Sequence, residues 1–272
     1  MKEKKRLDVL LFEKGLAESR QKAQTLVMSG LVFVDGKRET KSGVQIRAEA
    51  TIEVKDKGPG FVSRGGLKLE KALDTFGVDP RGLVALDAGA STGGFTDCLL
   101  KRGVSKVYAI DVGYGQLDWK LRQDPRVVCM ERTNLRYVTR QDIEDPIDLA
   151  TLDLSFISLR LVLPAVRMLL KETGQVCCLI KPQFEAGREK VGKKGVVRDM
   201  EVHIEVLEHF LQDAENCGFS VRAMSFSPIQ GPEGNIEFLG HLTVGAEIPF
   251  DKESIRTLVE QAHGVFQRGG GK

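Results

Sequence analysis

Hydrophobic residues in the first 55 positions follow two different spacings. Segments 6–15 and 19–30 carry leucine, valine and alanine at helical intervals, and a glycine ends each segment. Val32 and Val34 then alternate with polar residues, and Asp35-Gly36 is a strong signal for a tight turn. Further strand positions are supplied by Val44, Ile46, Ile52 and Val54. The pattern predicts two helices followed by a hairpin and additional strands.

From residue 63 onward, short apolar runs alternate with amphipathic stretches. Strands are predicted at 83–87, 106–111, 126–130, 148–153, 175–180, 220–226 and 237–244. Helices are predicted near 66–76, 94–102, 116–122, 158–171 and 200–217. Such alternation predicts an α/β fold with a mostly parallel, seven-stranded sheet and helices on both faces. Ligands of such a sheet bind beyond the carboxyl ends of its strands.

Glycine and proline interrupt the periodic pattern before residue 61. The sequence Lys57-Gly58-Pro59-Gly60 has neither helical nor strand spacing, which is typical of a linker. We therefore expect a small α+β domain over 1–58, a linker over 59–62 and an α/β domain over 63–250. Residues 251–272 are expected to form a C-terminal helix and a disordered, glycine-rich tail.

The composition is that of a globular protein, with 42% hydrophobic and 29% charged residues in a chain of 272. Because no apolar segment has the length of a signal peptide or a membrane span, we expect a cytoplasmic protein with no membrane partner. The five cysteines include no Cys-x-x-Cys pair, which favours a reducing compartment. Cysteines and the four histidines lack the spacing of a ligand cluster, so no metal is expected.

Positive charge is concentrated near the N-terminus. The first 60 residues hold 13 lysines and arginines against 9 acidic residues, whereas the remainder holds 27 against 29. This asymmetry favours a polyanion-binding domain, and the small aromatic content favours contacts to phosphates over base stacking. A solvated basic face without a partner is the alternative. Candidate RNA-binding residues are Lys4, Arg6, Arg20, Lys22, Lys37, Lys41 and Arg64.

A glycine-rich turn follows the first predicted strand of the larger domain. The run Leu86–Phe95 contains three glycines, which let a ligand and the next helix approach the backbone closely. Dinucleotide folds need a glycine where Ser91 stands, and Asp87 would repel a pyrophosphate. S-adenosylmethionine fits, because its positive charges suit Asp87 and its ribose hydroxyls suit Asp111 at the next strand end. The alternatives are a turn that serves only tight packing and a helix-capping role for Asp111.

Four charged residues lie at the ends of predicted strands or near the start of a predicted helix. Asp153 and Lys181 each follow an apolar strand, Glu237 begins the last strand, and Lys68 lies one step into a helix. Taken singly, each is explained as a solvent-exposed charge or a cap. Together, two lysines and two acids beside one methyl donor would form an alternating network that positions an amine for proton transfer.

Several motifs carry a family resemblance. The four residues above match, in order and local context, the Lys-Asp-Lys-Glu tetrad of RrmJ/FtsJ-type ribose 2′-O-methyltransferases. The whole chain resembles the hemolysin-like TlyA family through Ser-Arg-Gly-Gly-x-Lys, Asp-x-Gly-Ala-Ser-Thr-Gly-Gly-Phe, Asp-Leu-Ser-Phe-Ile-Ser, Lys-Pro-Gln-Phe-Glu and Gly-Asn-x-Glu-Phe. Its N-terminal segment resembles the RNA-binding module of ribosomal protein S-four.

This resemblance implies a Rossmann-like class I methyltransferase domain that acts on ribosomal RNA or ribosomal subunits. The implied reaction is in-line methyl transfer from S-adenosylmethionine to a ribose 2′-hydroxyl of cytidine. Lys181 would take the hydroxyl proton, while Lys68, Asp153 and Glu237 would orient the amine and the ribose. The implied cofactor-binding residues are Asp87, Gly89, Ala90, Ser91, Thr92, Gly93, Gly94, Phe95, Asp111, Val112 and Asn134.

Other functions stay open at this point. One is a non-catalytic RNA-binding protein of ribosome assembly, and another is a membrane-active hemolysin, which no apolar segment supports. A pseudouridine synthase can carry the same N-terminal module, but the glycine turn would then have no purpose.

The basic, glycine-rich segment 185–195 is expected to be a flap that orders on RNA or a solvated loop without function. The linker before Val62, Gly58-Pro59-Gly60-Phe61, differs from the short aromatic-containing linker of the family.

Overall fold

The computed structural model describes residues 4–17, 19–28, 31–54, 60–245 and 250–268. Backbone contacts divide the chain into two compact units, Met1–Gly60 and Phe61–Lys272. Of the expected linker 59–62, only residue 59 lies outside the described residues, as do residues 269–272 of the expected tail and the glycine that was expected to end the second helix.

The N-terminal unit is a small α+β fold. Its helices are α1 (Leu7–Glu13) and α2 (Arg20–Met28), and its strands are β1 (Lys4–Arg6), β2 (Val32–Val34), β3 (Lys37–Glu39), β4 (Gln45–Arg47) and β5 (Ile52–Val54). As the Asp35-Gly36 pair predicts, β2 turns into β3, and both turn residues have positive φ, 48° and 78°. β5 pairs antiparallel with the other edge of β2.

A two-stranded pairing in this unit was not anticipated. β1 pairs antiparallel with β4, which joins Lys5 to Ile46. Because β1 consists of three basic residues, it has no alternation of apolar and polar positions that would predict a strand. The buried core below it is aliphatic and comprises Leu7, Leu11, Ala17, Ala23, Leu26, Val27 and Val32.

The larger unit is built on seven strands. They are β6 (Val84–Ala88), β7 (Lys106–Ile110), β8 (Val127–Met130), β9 (Ile147–Leu152), β10 (Leu170–Ile180), β11 (Phe219–Phe226) and β12 (Phe238–Val244). The helices are α3 (Gly65–Phe76), α4 (Gly94–Lys101), α5 (Trp119–Arg122), α6 (Leu163–Leu169), α7 (Pro182–Glu185), α8 (Met200–Asn216) and α9 (Ser254–Arg268). The sheet order is β11-β12-β10-β9-β6-β7-β8, and β12 runs antiparallel to both of its neighbours.

Alternate residues of the strands pack into two separate cores, one on each face of this sheet. Leu86 of β6 belongs to the core beneath α6, α8 and α9, whereas its neighbour Ala85 belongs to the core beneath α3 and α4. In β10, Cys178 and Cys177 divide between the two cores in the same way. Burial on both faces is the expected arrangement for a mostly parallel sheet, and it leaves the strand ends free for a site.

One predicted helix, 158–171, is wrong in extent. A 3-10 turn over Leu159–Leu161 precedes α6, and the chain enters β10 at Leu170. Pro164 lies in the first turn of α6, where the missing N–H of proline is tolerated, so the α-helix begins only there. Leu170 pairs with Ile147 of β9, and this pairing ends the helix although the apolar pattern continues beyond it.

Candidate active site

The turn after β6 brings two strand ends into close contact. Gly89 has φ +81°, and a Cβ there would lie 2.5 Å from the backbone oxygen of Asp153. Gly94 begins α4, and a Cβ at that position would lie 2.2 Å from Ser63 Oγ. Only glycine permits both approaches, because any side chain would displace backbone or a packed hydroxyl. The turn therefore sets the spacing between the ends of β6 and β9.

Asp111 fixes this turn from the neighbouring strand. Its Oδ2 accepts a hydrogen bond from the Ser91 N–H at 2.8 Å, and its Oδ1 accepts one from the Gly113 N–H at 2.7 Å. Each carboxylate oxygen keeps a second lone pair that is able to accept a ligand hydroxyl. Asp111 thus connects the turn after β6 to the loop after β7.

Two cavities open at the carboxyl edge of the sheet. The first has a volume of about 400 Å³, and its lining includes the predicted residues Gly89, Ser91, Asp111, Val112 and Asn134. The second has a volume of about 270 Å³, and its lining includes the predicted residues Arg64, Lys68, Ala90, Thr92, Gly94 and Phe95. Both cavities share Gly89, Ser91 and Asp153. The turn and Asp153 therefore form the boundary at which the contents of the two cavities would meet.

Two predicted cofactor residues, Asp87 and Gly93, are described by the structure but line neither cavity. The Asp87 carboxyl group is fully buried. It accepts a hydrogen bond from the Thr96 hydroxyl at 2.6 Å, and the Thr151 hydroxyl lies 3.3 Å from it. A Cβ on Gly93 would meet the Leu121 side chain at 2.2 Å. In this structure Asp87 joins α4 to β9, so its contacts are to the protein.

The four predicted catalytic residues form two ion pairs. Lys68 Nζ lies 2.6 Å from Glu237 Oε2, and Lys181 Nζ lies 2.6 Å from Asp153 Oδ1. Lys68, Lys181 and Glu237 are buried, with exposed fractions of 8%, 7% and 0%. Buried charges persist only when they are paired, so each lysine is held against its own acidic partner. Lys68 and Asp153, one from each pair, line the same cavity.

Glu237 retains an unused acceptor. Among the described residues, no group donates a hydrogen bond to its buried Oε1. A Cβ on Gly231 would lie 2.2 Å from this oxygen, so the loop 229–231 passes directly over it. Because an unpaired buried acceptor is costly, such an atom marks a place where a bound donor would be stabilised. Gly231 lines the same cavity as Lys68.

Sequence reasoning gave no role to the residues that flank the tetrad. Ser155 Oγ lies 3.2 Å from Lys181 Nζ. Phe156 has φ +64°, is 91% exposed, and its ring centroid lies 5.1 Å from that of Phe184. Both phenylalanines closely follow a predicted catalytic residue and lie within the motifs Asp-Leu-Ser-Phe-Ile-Ser and Lys-Pro-Gln-Phe-Glu, which were the available signals. A strained, exposed aromatic residue beside a catalytic cluster is typical of a ligand contact.

The predicted RNA-binding residues are exposed, including all six in the N-terminal unit. Two of these six also hold that unit together. Arg6 donates hydrogen bonds of 3.0 and 2.9 Å to the buried Asp8 carboxylate, and Arg20 lies 3.6 Å from it. The hydrogen bond from Arg6 holds the pKa of Asp8 well below its usual range. The side chains of Lys22, Lys37 and Lys41 are therefore the better probes of an RNA contact.

The first cavity fits S-adenosylmethionine in its chemistry. Asp111 and Asn134 offer acceptors for hydroxyl groups, while Val112, Leu135 and Ile157 offer an apolar wall for an adenine ring. The glycine turn forms part of the cavity wall through Gly89 and Ser91. With the sheet order and the single antiparallel strand, these features define the class I methyltransferase fold.

Comparison with known proteins gives the family. Residues 61–243 match the FtsJ-like methyltransferase family and residues 5–52 match the S4 domain. The chain therefore belongs to the FtsJ-like methyltransferases and, within them, to the TlyA group. The 16S/23S rRNA (cytidine-2′-O)-methyltransferase TlyA of Mycobacterium tuberculosis is 41% identical to it, covering 96% of this chain and 98% of that protein.

Two further relatives carry hemolysin names. Hemolysin A of Brachyspira hyodysenteriae is 42% identical over 88% of this chain and 100% of its own length. A solved structure from Streptococcus thermophilus, provisionally named a hemolysin, has a TM-score of 0.80, 47% identity and 100% coverage of both chains. In the part of the chain that the structure describes, no helix is both long and apolar enough to cross a membrane.

Proposed function

We propose that this protein transfers the methyl group of S-adenosylmethionine to the 2′-hydroxyl of a cytidine ribose in ribosomal RNA. The observation that carries the proposal is the two ion pairs beside the glycine turn, the buried pair Lys68–Glu237 and the partly buried pair Lys181–Asp153. The activity named for the Mycobacterium tuberculosis relative and the match to an S4 domain support ribosomal RNA as the substrate.

The two cavities suggest how the reactants would meet. Bound S-adenosylmethionine supplies an electrophilic methyl group on a positively charged sulfur. In the proposal the first cavity holds the cofactor, and the second holds the ribose between Arg64, Lys68 and Gly231. Asp153 lines both cavities, so the ribose oxygen and the methyl carbon would be aligned next to it. Alignment of this kind supplies much of the acceleration in a displacement reaction.

Proton transfer is assigned to Lys181. Lys181 would take the 2′-hydroxyl proton at Nζ while the ribose oxygen replaces sulfur on the methyl carbon, so its ammonium group must first release its own proton to solvent and act as the neutral amine. Asp153 and Ser155 hold this amine in place, at 2.6 and 3.2 Å. Lys68 is held by Glu237 and orients the ribose, while the unpaired Glu237 Oε1 accepts a hydrogen bond from the substrate.

An exposed aromatic residue on the first cavity favours an unpaired nucleotide. Phe156 lines the first cavity and exposes 91% of its surface. Aromatic rings on such surfaces bind splayed-out bases by stacking, and RNA loops supply such bases. We therefore include a base contact at Phe156 in the proposal.

Two lysines of the same strand provide a matched test. Lys181 and Lys171 lie at opposite ends of β10, and Lys171 forms its own ion pair of 2.6 Å with Asp148 of β9. Lys181→Ala is expected to lower the methylation rate of ribosomal subunits at least 100-fold, as loss of a general base does. Calorimetry should show nearly unchanged affinity for S-adenosylmethionine.

Lys171→Ala is the control, and it should methylate at close to the wild-type rate because it removes an ion pair at the far end of the strand. Equal losses in both variants would mean that the effect is structural. Full activity of Lys181→Ala would refute the assignment of the proton acceptor, and absence of methylation by the wild-type protein would refute the proposed function.

A further inference from the structure

The loop 153–159 and the segment 181–185 contact each other in sequence order. Lys181 contacts the start of the loop through Asp153 and Ser155. Phe184 contacts its middle through the ring of Phe156. The third contact is made at the end of the loop by Glu185, the last residue of α7, which was given no role in the site. The loop that begins at Asp153 and the segment that begins at Lys181 are therefore joined by noncovalent contacts along their length.

Glu185 binds the end of the loop with both of its oxygens. Its Oε2 accepts a hydrogen bond from the Ser158 hydroxyl at 2.5 Å, and its Oε1 accepts one from the Leu159 N–H at 2.9 Å. The Leu159 amide belongs to the first turn of the 3-10 helix Leu159–Leu161, where backbone N–H groups lack partners within the helix. The carboxylate satisfies this donor from another part of the chain.

Both carboxylate oxygens of Glu185 are occupied by donors of the protein itself. Glu185 lines neither of the two cavities at the glycine turn, and it lies instead on a third cavity of about 560 Å³ between α7 and α8. Burial raises the pKa of Glu185 above its usual value, although the hydrogen bonds from Ser158 and Leu159 oppose this change. A mostly buried carboxylate whose oxygens both accept protein donors is not arranged to touch substrate.

The loop needs such an anchor because its middle is strained. Phe156 has φ +64°, a conformation that costs a bulky residue of order 1–3 kcal/mol unless the surroundings enforce it. The ion pair with Lys181 fixes only the Asp153 end. The two hydrogen bonds from Ser158 and Leu159 fix the other end, so the conformation between them is determined from both sides.

We propose that Glu185 is a positioning residue for methyl transfer. Through Ser158 and Leu159 it holds the 153–159 loop so that Asp153 and Phe156 stay aligned with Lys181. This inference rests on the proposed function, because it assigns Glu185 to the same reaction.

Three single variants test this role. Glu185→Ala removes both acceptors and is expected to lower kcat for ribosomal subunits 10- to 100-fold, since a misplacement of about 1 Å has an effect of that size. The KM for RNA and the Kd for S-adenosylmethionine should stay within about threefold of wild type. Glu185→Gln should restore kcat to within about threefold, because its amide accepts from Leu159 N–H and donates to Ser158 Oγ. Glu189→Ala changes an exposed acid on the same third cavity and should behave as wild type.

A double variant separates positioning from general damage. Ser158→Ala alone removes one of the two hydrogen bonds and should lower kcat less than Glu185→Ala does. Combined with Glu185→Ala, it should cause no additional loss, because the partner of the hydroxyl is already gone. An additive loss in the double variant, or a kcat for Glu185→Ala within twofold of wild type, would overturn the proposal.

Hydrogen exchange tests the role of Glu185 without relying on methylation activity. In Glu185→Ala, amide exchange in the loop 153–159 should become at least tenfold faster than in the wild-type protein, while exchange in β6 should not change. This result is expected even if the wild-type protein methylates no RNA, an outcome that would refute the proposed function alone. Unchanged exchange in the loop would overturn the role of Glu185 whatever the activity.

Discussion

At the scale of single residues, Asp87 is a carboxyl group that the protein keeps out of water. Burial raises the pKa of Asp87 to about 7, the charge of Asp153 adds to this effect, and hydrogen bonds from Thr96 and Thr151 oppose it. The Asp87 carboxyl group binds its proton more tightly in the folded protein than in the unfolded chain. Its burial therefore costs no stability below about pH 4, where the group is protonated in both states. The cost grows as the pH rises and is complete above about pH 7.

Asp87→Asn should therefore gain stability relative to wild type as the pH rises. The free energy of unfolding of the variant minus that of wild type is expected to be roughly 2–3 kcal/mol larger at pH 8 than at pH 5. Urea unfolding of both full-length proteins, followed by circular dichroism at the two pH values, measures this change. A difference that does not vary with pH would contradict the account of Asp87.

The tetrad could be predicted from the sequence because each member lies next to a strand end or a glycine turn, where side chains converge in this fold. Asp111 could be predicted for the same reason. Glu185 and Phe156 could not, because their roles depend on two loops meeting at a particular register, and no local pattern encodes that contact. The burial of Asp87 was missed since its partners, Thr96 and Thr151, come from two other elements.

At the scale of elements, the glycine turn depends on one close approach between strands. In Gly89→Ala the new Cβ would lie 2.5 Å from the Asp153 backbone oxygen, whereas Gly82 has a similar φ of +73° and nothing within 4 Å. Both alanine variants should lose roughly 1–2 kcal/mol of stability from the left-handed backbone. Only Gly89→Ala should also bind S-adenosylmethionine at least tenfold more weakly, because it displaces the end of β9.

Calorimetric titration of both variants checks this prediction, with Gly82→Ala as the control for backbone strain. Equal affinities in the two variants would show that the approach of the turn to Asp153 does not shape the cofactor cavity.

The seven strands of the sheet could be predicted because an apolar run between glycine or proline signals is a local property. The break within 158–171 depends on the pairing of Leu170 with β9, and the strand β1 depends on pairing with β4. Both are long-range contacts that override the local pattern, so the sequence alone predicted the elements better than their boundaries.

At the scale of the whole molecule, the net positive charge and the predicted catalytic tetrad lie in different units. Lys22, Lys37 and Lys41 are exposed and belong to the N-terminal unit, whereas the tetrad belongs to the larger one. If these lysines bind phosphates, the triple variant to alanine should weaken binding of ribosomal RNA and reduce the slope of log K against log salt by about 2–3. Affinity for S-adenosylmethionine should not change.

Filter binding at several salt concentrations measures this slope. Lys171→Ala is a suitable control, because it removes one positive charge from the larger unit. A slope that the triple variant leaves unchanged would show that the basic surface of the N-terminal unit does not contact RNA.

The identity of the product nucleoside shows whether the protein transfers a methyl group to a ribose oxygen. Ribosomal subunits lacking the modification are incubated with the wild-type protein and S-adenosylmethionine, then digested to nucleosides and analysed by mass spectrometry. We expect 2′-O-methylcytidine with wild type and, at equal incubation times, at least 100-fold less of it with Lys181→Ala. A methyl group on a base, or equal product from both proteins, would mean that the tetrad does not promote methyl transfer to a ribose oxygen.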